Sequence, residues 1–191
     1  MKALQLTLDM SQRWLFGKPK YRPSRGTIRP ADFDVAEIRD DTTARNFIRE
    51  HHYSGSMGAA RVRVGLYRHG ALVGVAVFSH PCSDAVLTRT FSVPTASAVE
   101  LGRFVLLNEV EANAESHFLG RAFDILRSRG ILGVVTFSDP VPRHSVAGDL
   151  ILPGHCGIAF QAHNGIYLGR GTPRTLRPLP NGRVLHERTI Q

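Results

Sequence analysis

The stretch ELGRFVLLNEVEANAESHFLGRAFDILRSRGILGVVTFSDPVP, Glu100 to Pro142, decides the fold. Val99 to Leu107 is apolar apart from Glu100 and Arg103, with Gly102 between them, and reads as a strand. From Phe118 the apolar residues fall at Phe118, Leu119, Ala122, Phe123, Ile125 and Leu126, a spacing that gathers them largely on one face of a helix. Asn113 is placed to cap that helix, Glu115 suits the dipole of its first turn, and Gly130 stops it. Ile131 to Phe137 is a short apolar run of the kind buried on both faces of a sheet, and it ends in the polar corner Ser138-Asp139-Pro140. Strand, helix and strand make one βαβ crossover. Ligands of such units sit at the carboxyl ends of the strands, beside the helix amino terminus. Function is therefore expected near 107–116 and 138–143. A crossover that serves only the core is the alternative.

Around this unit, 191 residues default to one domain with a sizeable core. No apolar run is long enough to span a bilayer and no signal-peptide core stands at the amino terminus, so a soluble cytoplasmic protein is expected. Cys82 and Cys156 lie far apart without a CxxC partner, as isolated thiols do. The net charge of +8 is concentrated at the ends. Residues 11–30 hold six cations and no acid (+6), and 168–191 hold five arginines against Glu187 (+4), which leaves about −2 for the remainder by subtraction. Two basic ends on a slightly acidic body point to a polyanion, most often nucleic acid; solvated basic tails are the plainer reading. The phosphate-binding candidates are Lys18, Lys20, Arg22 and Arg25, and Arg170, Arg174, Arg177 and Arg183.

Residues 1–31 read as a basic irregular arm, because Pro19, Pro23 and Pro30 rule out a continuous helix. Its Trp14, Phe16 and Tyr21 either stack on bases or pin the arm to the body. A strand at Asp34–Glu37 precedes a helix capped at Asp41-Thr42-Thr43, with Ala44, Phe47 and Ile48 on its buried face. That helix ends in the flexible loop His51-His52-Tyr53-Ser54-Gly55, a plausible site wall. Neighbouring His51 and His52 point about 100° apart on a helix, so a hydrogen-bonding role fits better than a shared metal. Arg61 to Tyr67 and Ala71 to Phe78 form a hairpin through His69-Gly70, and Gly74 marks a bulge or a close ligand approach. Pro140 to Gly154 is a long loop carrying Arg143, His144 and Asp149. A short helix at Ile158–His163, a strand at Tyr167–Gly169 and an edge hairpin turning at Asn181-Gly182 close the chain.

The assembled order resembles the GNAT acyltransferase fold: an α/β (α+β) single domain over 32–191, with a mixed central sheet flanked by helices and a C-terminal β-hairpin. One feature departs from it. Where that fold grips a cofactor pyrophosphate with a basic, glycine-rich loop, this chain has Asn108-Glu109-Val110-Glu111-Ala112-Asn113, whose two acids repel a pyrophosphate.

Within that group the chain resembles the Mom family of phage DNA-modification proteins. The likeness rests on HHYSG, VGLY with GVAVFS, ELGRF with NAESHFL, GVVTFSDPVPR, and QAHNGIYLGRGTPRTL followed by LPNGRV, over roughly 50–185. It implies a transferase that adds a carbamoylmethyl (acetamido) group to N6 of adenine in duplex DNA in an infected bacterium, against restriction nucleases. It puts the important residues at Tyr53, Tyr67, Arg103, Ser116 and Asp139. Cofactor contacts are expected at Asn113, Ser116 and Tyr167. Iron and an acyl-coenzyme A donor come with the resemblance, His52 and Tyr53 being the weak metal candidates. The partners are double-stranded DNA and a small-molecule donor, with a homodimer left open.

The chemistry can be weighed separately. The N6 amine is a poor nucleophile, so its alkylation needs a base or a strongly activated donor. Asp139 at a strand end suits a base or an acceptor, or it merely bonds its own turn. Arg103 either clamps an anion or carbonyl, or pairs with Glu100 or Asp139. Ser116 binds an anion or helps cap its helix, and the two tyrosines stack on a base, orient a proton, bind metal or simply sit half-buried. An acyltransferase acting on another amine and a non-catalytic DNA-binding protein are the competing functions.

Overall fold

Proline does not prevent strand pairing at the amino terminus. Met10–Leu15 (β1) and Lys18–Pro23 (β2) pair antiparallel, from Met10 opposite Pro23 to Leu15 opposite Lys18, where an irregular arm is expected. Pro19 and Pro23 exclude a helix, but both strands of a two-stranded ribbon are edges, which accommodate proline. The computed structural model describes residues 10–15, 18–23, 26–152, 154–171, 177–179 and 184–185. It divides into two compact units, Met1–Thr136 and Phe137–Gln191, a boundary that the sequence pattern does not mark.

In the first unit, Phe33–Glu37 (β3), Val62–Arg68 (β4), Ala71–Ser79 (β5), Ala98–Leu106 (β6) and Gly133–Val135 (β7) form one mixed sheet in that order. Every neighbouring pair is antiparallel except β6 and β7, which are parallel. Asp41–His51 (α1) joins β3 to β4, the short Ala85–Thr88 (α2) lies between β5 and β6, and Ala114–Ser128 (α3) makes the crossover to β7. The expected hairpin turns through His69 and Gly70, both at positive φ as a two-residue turn requires. Leu66 opposes Gly74 but Tyr67 opposes Leu72, so the bulge lies beside Gly74. Gly74 is small because a Cβ there would stand 3.1 Å from Leu106 Cγ and 3.3 Å from Leu66 Cβ, a reason of packing.

Residues opposed across a sheet share a face. The register gives one face to Arg63, Gly65, Tyr67, Leu72, Val75, Val77, Arg103 and Val105. There Ala44, Phe47 and Ile48 of α1 pack with Val75, Val77 and Val105. The other face carries Phe78 and Phe104, whose rings meet Phe123 and Phe118 of α3 at 6.4 and 5.6 Å. Burying each such side chain contributes roughly 1.5–3 kcal/mol.

Three local expectations need correction. The cap of α1 is Asp40, one residue earlier than expected; it accepts from the amides of Thr42 at 3.1 Å and Thr43 at 2.7 Å. The Thr43 hydroxyl and both amides hold its carboxyl below the usual carboxylate range. Asn113 does stand at the start of α3, but at φ 66° and without a side-chain cap bond, so it serves as a residue that tolerates left-handed backbone. The run at 131–137 is not a strand buried on both faces. It yields only the three-residue edge strand β7, paired with Ala98–Glu100, and leaves Leu132 and Phe137 exposed; among the described residues β7 has no second neighbour in the sheet.

In the second unit, Arg143–His144 (β8) and Leu150–Leu152 (β9) pair within the segment expected to be a loop. Ile158–Ala162 (α4) forms as expected. The strand expected at Tyr167–Gly169 does not: residues 165–171 have no regular structure, and Gly169 takes φ 101°. Arg177–Pro178 (β10) pairs antiparallel with Val184–Leu185 (β11) as a separate two-stranded sheet, not as an edge of a larger one. The Asn181-Gly182 turn lies outside the described residues.

Candidate functional site

The loop after α1 is clamped from two sides. Arg103, half-buried on β6, donates from Nε to the Ser56 carbonyl at 2.7 Å and from Nη1 to the Gly102 carbonyl at 2.7 Å. Of the two readings of Arg103, the carbonyl clamp is what the first unit shows: backbone carbonyls of Ser56 and Gly102 take its charge. Arg45 of α1 donates to the Met57 carbonyl at 3.0 Å, and the Met57 side chain is buried in the core. Between these anchors, Ser54 donates its amide to His52 Nδ1 at 3.2 Å, and the Tyr53 ring stacks on His52 at 4.3 Å. Tyr53 is thus a half-buried aromatic on a pinned loop, suited to hold a planar group. The part of Arg45 is not legible in the helical pattern, because its partner carbonyl belongs to a later loop.

Tyr67 shares the Arg103 face of the sheet. A Cβ on Gly65 would come 2.7 Å from Tyr67 Cε2, so glycine is what seats this ring. Arg63, Val77 and Arg103 stand in one row, and Tyr67 lies four residues beyond Arg63, about 13 Å along the strand. The register therefore sets Tyr67 and Arg103 at different ends of the face. Ser116 sits half-buried in the first turn of α3, the helix packed on the opposite face.

The acidic loop ahead of α3 is closed by the chain itself. Ala112 donates its amide to the Gly26 carbonyl and accepts from the Ile28 amide, both at 3.0 Å. The Val110 amide donates to Leu107 at 3.2 Å, and Glu111 forms an ion pair with Arg68. Two amides that a pyrophosphate would use are thus already engaged.

In the second unit, Asp139 forms an ion pair with Arg143, accepts the Val141 amide on Oδ1 at 3.3 Å, and accepts the His155 amide on its main-chain oxygen at 2.8 Å. The turn-bonding role is present, and yet a carboxylate has about four acceptor positions, so an amine can still be received. Two glycines hold the corner. A Cβ on Gly154 would lie 2.4 Å from the Pro140 carbonyl oxygen, and one on Gly157 2.4 Å from Ser138 Oγ. They bring His155 beside Asp139. Burial pushes the His155 imidazole below 6.5, with the Asp139 charge pulling the other way. Nothing in the residue spacing marks His155 as a neighbour of Asp139; only the paired glycines hint at a tight corner.

The remaining candidates are spread out. Tyr167 and Arg170 are exposed in the second unit. Lys18, Lys20 and Arg22 lie on β2, where the register sets Lys20 opposite Arg13, and Arg177 lies on β10. Arg25, Arg174 and Arg183 fall outside the described residues. Of the weak metal candidates, His52 accepts the Ser54 amide on Nδ1, and among the described residues no three His, Cys, Asp or Glu stand together.

The model of the Mom protein family matches residues 32–191, both the loop clamped by Arg103 and the corner at Asp139. The chain belongs to the Mom protein family. No curated protein matches the chain. Mom membership implies phage DNA modification, with DNA as the substrate. For this Mom chain, no helix among the described residues is long and apolar enough to cross a membrane.

Proposed function

We propose that this Mom chain is a transferase that adds a carbamoylmethyl group to N6 of adenine in duplex DNA and so shields the DNA from restriction nucleases. The family match over 32–191 carries this reading. In the step, a bond forms between N6 and the methylene carbon, the donor's leaving group departs with its bonding pair, and one N6 proton passes to a base. Asp139 is the acceptor for the amine, oriented by Arg143 and by the Val141 amide. Within the first unit, Arg103 positions Tyr53 by holding Ser56, and the Tyr53 ring offers an aromatic face to DNA. Tyr67, on the Arg103 face of the sheet, lines the donor's approach.

The basic ends grip phosphates. In β1 and β2 the register sets Arg13 opposite Lys20, which gathers cationic residues on one ribbon. The acyl-coenzyme A alternative loses support at 108–113, where the Ala112 and Val110 amides are taken. Nucleoside mass spectrometry on DNA from bacteria expressing the protein tests the reading. An adenosine heavier by a carbamoylmethyl group is expected with the wild type and not with Asp139→Ala; its absence with folded wild-type protein would overturn it.

A further inference from the structure

We propose that Ile166, Tyr167 and Leu168 form a wedge that enters a base step of duplex DNA and fills the gap left by the extruded adenine. The inference rests on the DNA-modification reading above. Three consecutive large apolar side chains stand 85%, 81% and 67% exposed, where folding ordinarily hides such residues.

Their stem is stiff. Asn164 at φ 58° donates its amide to Gln161 at 3.0 Å, and Gly165 donates to the Phe160 carbonyl at 2.8 Å. A Cβ at position 165 would lie 2.8 Å from that same oxygen, so the chain leaves α4 along one tight path. Beyond it, residues 165–171 run without a turn or bend, so the three apolar side chains leave a fixed base on an exposed segment.

Charge selects the occupant. Exposed Arg170 follows directly, and residues 168–191 hold five arginines against one glutamate. An exposed apolar stretch followed directly by an exposed arginine suits a partner with stacked apolar bases inside a polyanionic shell. Wedges of Phe, Leu, Ile or Met between base steps unstack and kink a duplex while nearby cations hold its phosphates. Chemistry on N6 needs such an opening, because the amine is paired inside the duplex.

The test compares the full chain with Ile166→Ala/Tyr167→Ala/Leu168→Ala and with Tyr167→Trp on mixed-sequence duplex DNA at equal occupancy. Permanganate marks the thymines left unpaired. Wild type is expected to make discrete thymines reactive, and the triple variant to lose that reactivity by about ten-fold or more with an unchanged salt dependence of binding. Tyr167→Trp should retain it. In cells the triple variant should also lose the modified adenosine. Equal reactivity in wild type and triple variant would overturn the wedge. So would a wild type that modifies DNA in cells without exposing thymines, an outcome that leaves the DNA-modification reading intact. A triplet that seats a second copy would show as loss of a dimer in sedimentation and would also overturn it. If wild type neither exposes thymines nor modifies DNA, both inferences fall.

Discussion

Replacing Arg103 with alanine separates positioning from direct action on substrate. Of its bonds, only the one from Nε to the Ser56 carbonyl at 2.7 Å holds the loop, since Gly102 is its own neighbour on β6 and the Ser56 Oγ contact is 3.5 Å long. A hydrogen bond from a charged donor contributes about 1.5–3 kcal/mol net. Arg45 keeps its bond to Met57, so the loop is expected to detach locally while the helix stays folded. At about 1.4 kcal/mol per decade, amide exchange at Ser54 and Gly55 should quicken about 10- to 100-fold. The assay is hydrogen exchange of the purified variant, read beside the modified adenosine that it leaves in cellular DNA. Protection of these amides and the modified adenosine should fall together, with Arg103→Lys intermediate because it lacks the guanidinium fork. Lost modification with unchanged protection of Ser54 and Gly55 would refute the positioning role and place Arg103 on the substrate. Faster exchange with full modification would remove the loop from the site.

Further outcomes are expected. Gly65→Ala puts a methyl 2.7 Å from Tyr67 Cε2 and 2.9 Å from Leu72 Cδ1, so it should displace the ring and lower modification without touching Tyr67. Overpacking of this kind costs about 1–3 kcal/mol, and an unchanged melting temperature would count against it. Phe118→Ala empties a fully buried site under Phe104 and should cost about 3–5 kcal/mol by urea unfolding; less than about 1 kcal/mol would contradict that packing. His155 is half-buried with its imidazole pushed below 6.5, so the unfolded chain takes up the proton first as pH falls. Its contribution to stability is present above about pH 6.5 and is lost as pH falls through the folded value, a slope that His155→Gln should abolish in melts across that range. Millimolar acetyl-coenzyme A should leave the melting temperature unchanged, because the Ala112 and Val110 amides are engaged; a rise of several degrees would restore the acyltransferase reading.

What was legible in the chain follows from the range of each interaction. The burial of Phe118, Leu119, Ala122 and Leu126, the His69-Gly70 turn and the bulge beside Gly74 are local, and periodicity or backbone preference announces them. Asn113 was legible by position but not by role, since a capping side chain and a left-handed backbone favour the same residue. An apolar run does not say whether a strand lies on each side of it, so β7 looked central and is an edge. Arg103 finds its partner 47 residues away, and His155 reaches Asp139 only through the close passes at Gly154 and Gly157. Such pairings leave no trace in spacing. In β1 and β2, proline ruled out the helix but was silent on the ribbon.

The bonds between Gly26, Ile28 and Ala112 bear on how far the protein can be shortened. The family match begins at residue 32, and a chain begun there would keep all five strands of the sheet. It would also strip Ala112 of both backbone partners at the doorway of α3. The freed amide would turn to water or to whatever anion reached it, and an entrance now plugged would stand open. The few residues ahead of the family match thus do two things at once: Ile28 is buried, and its backbone with that of Gly26 closes the entrance to α3.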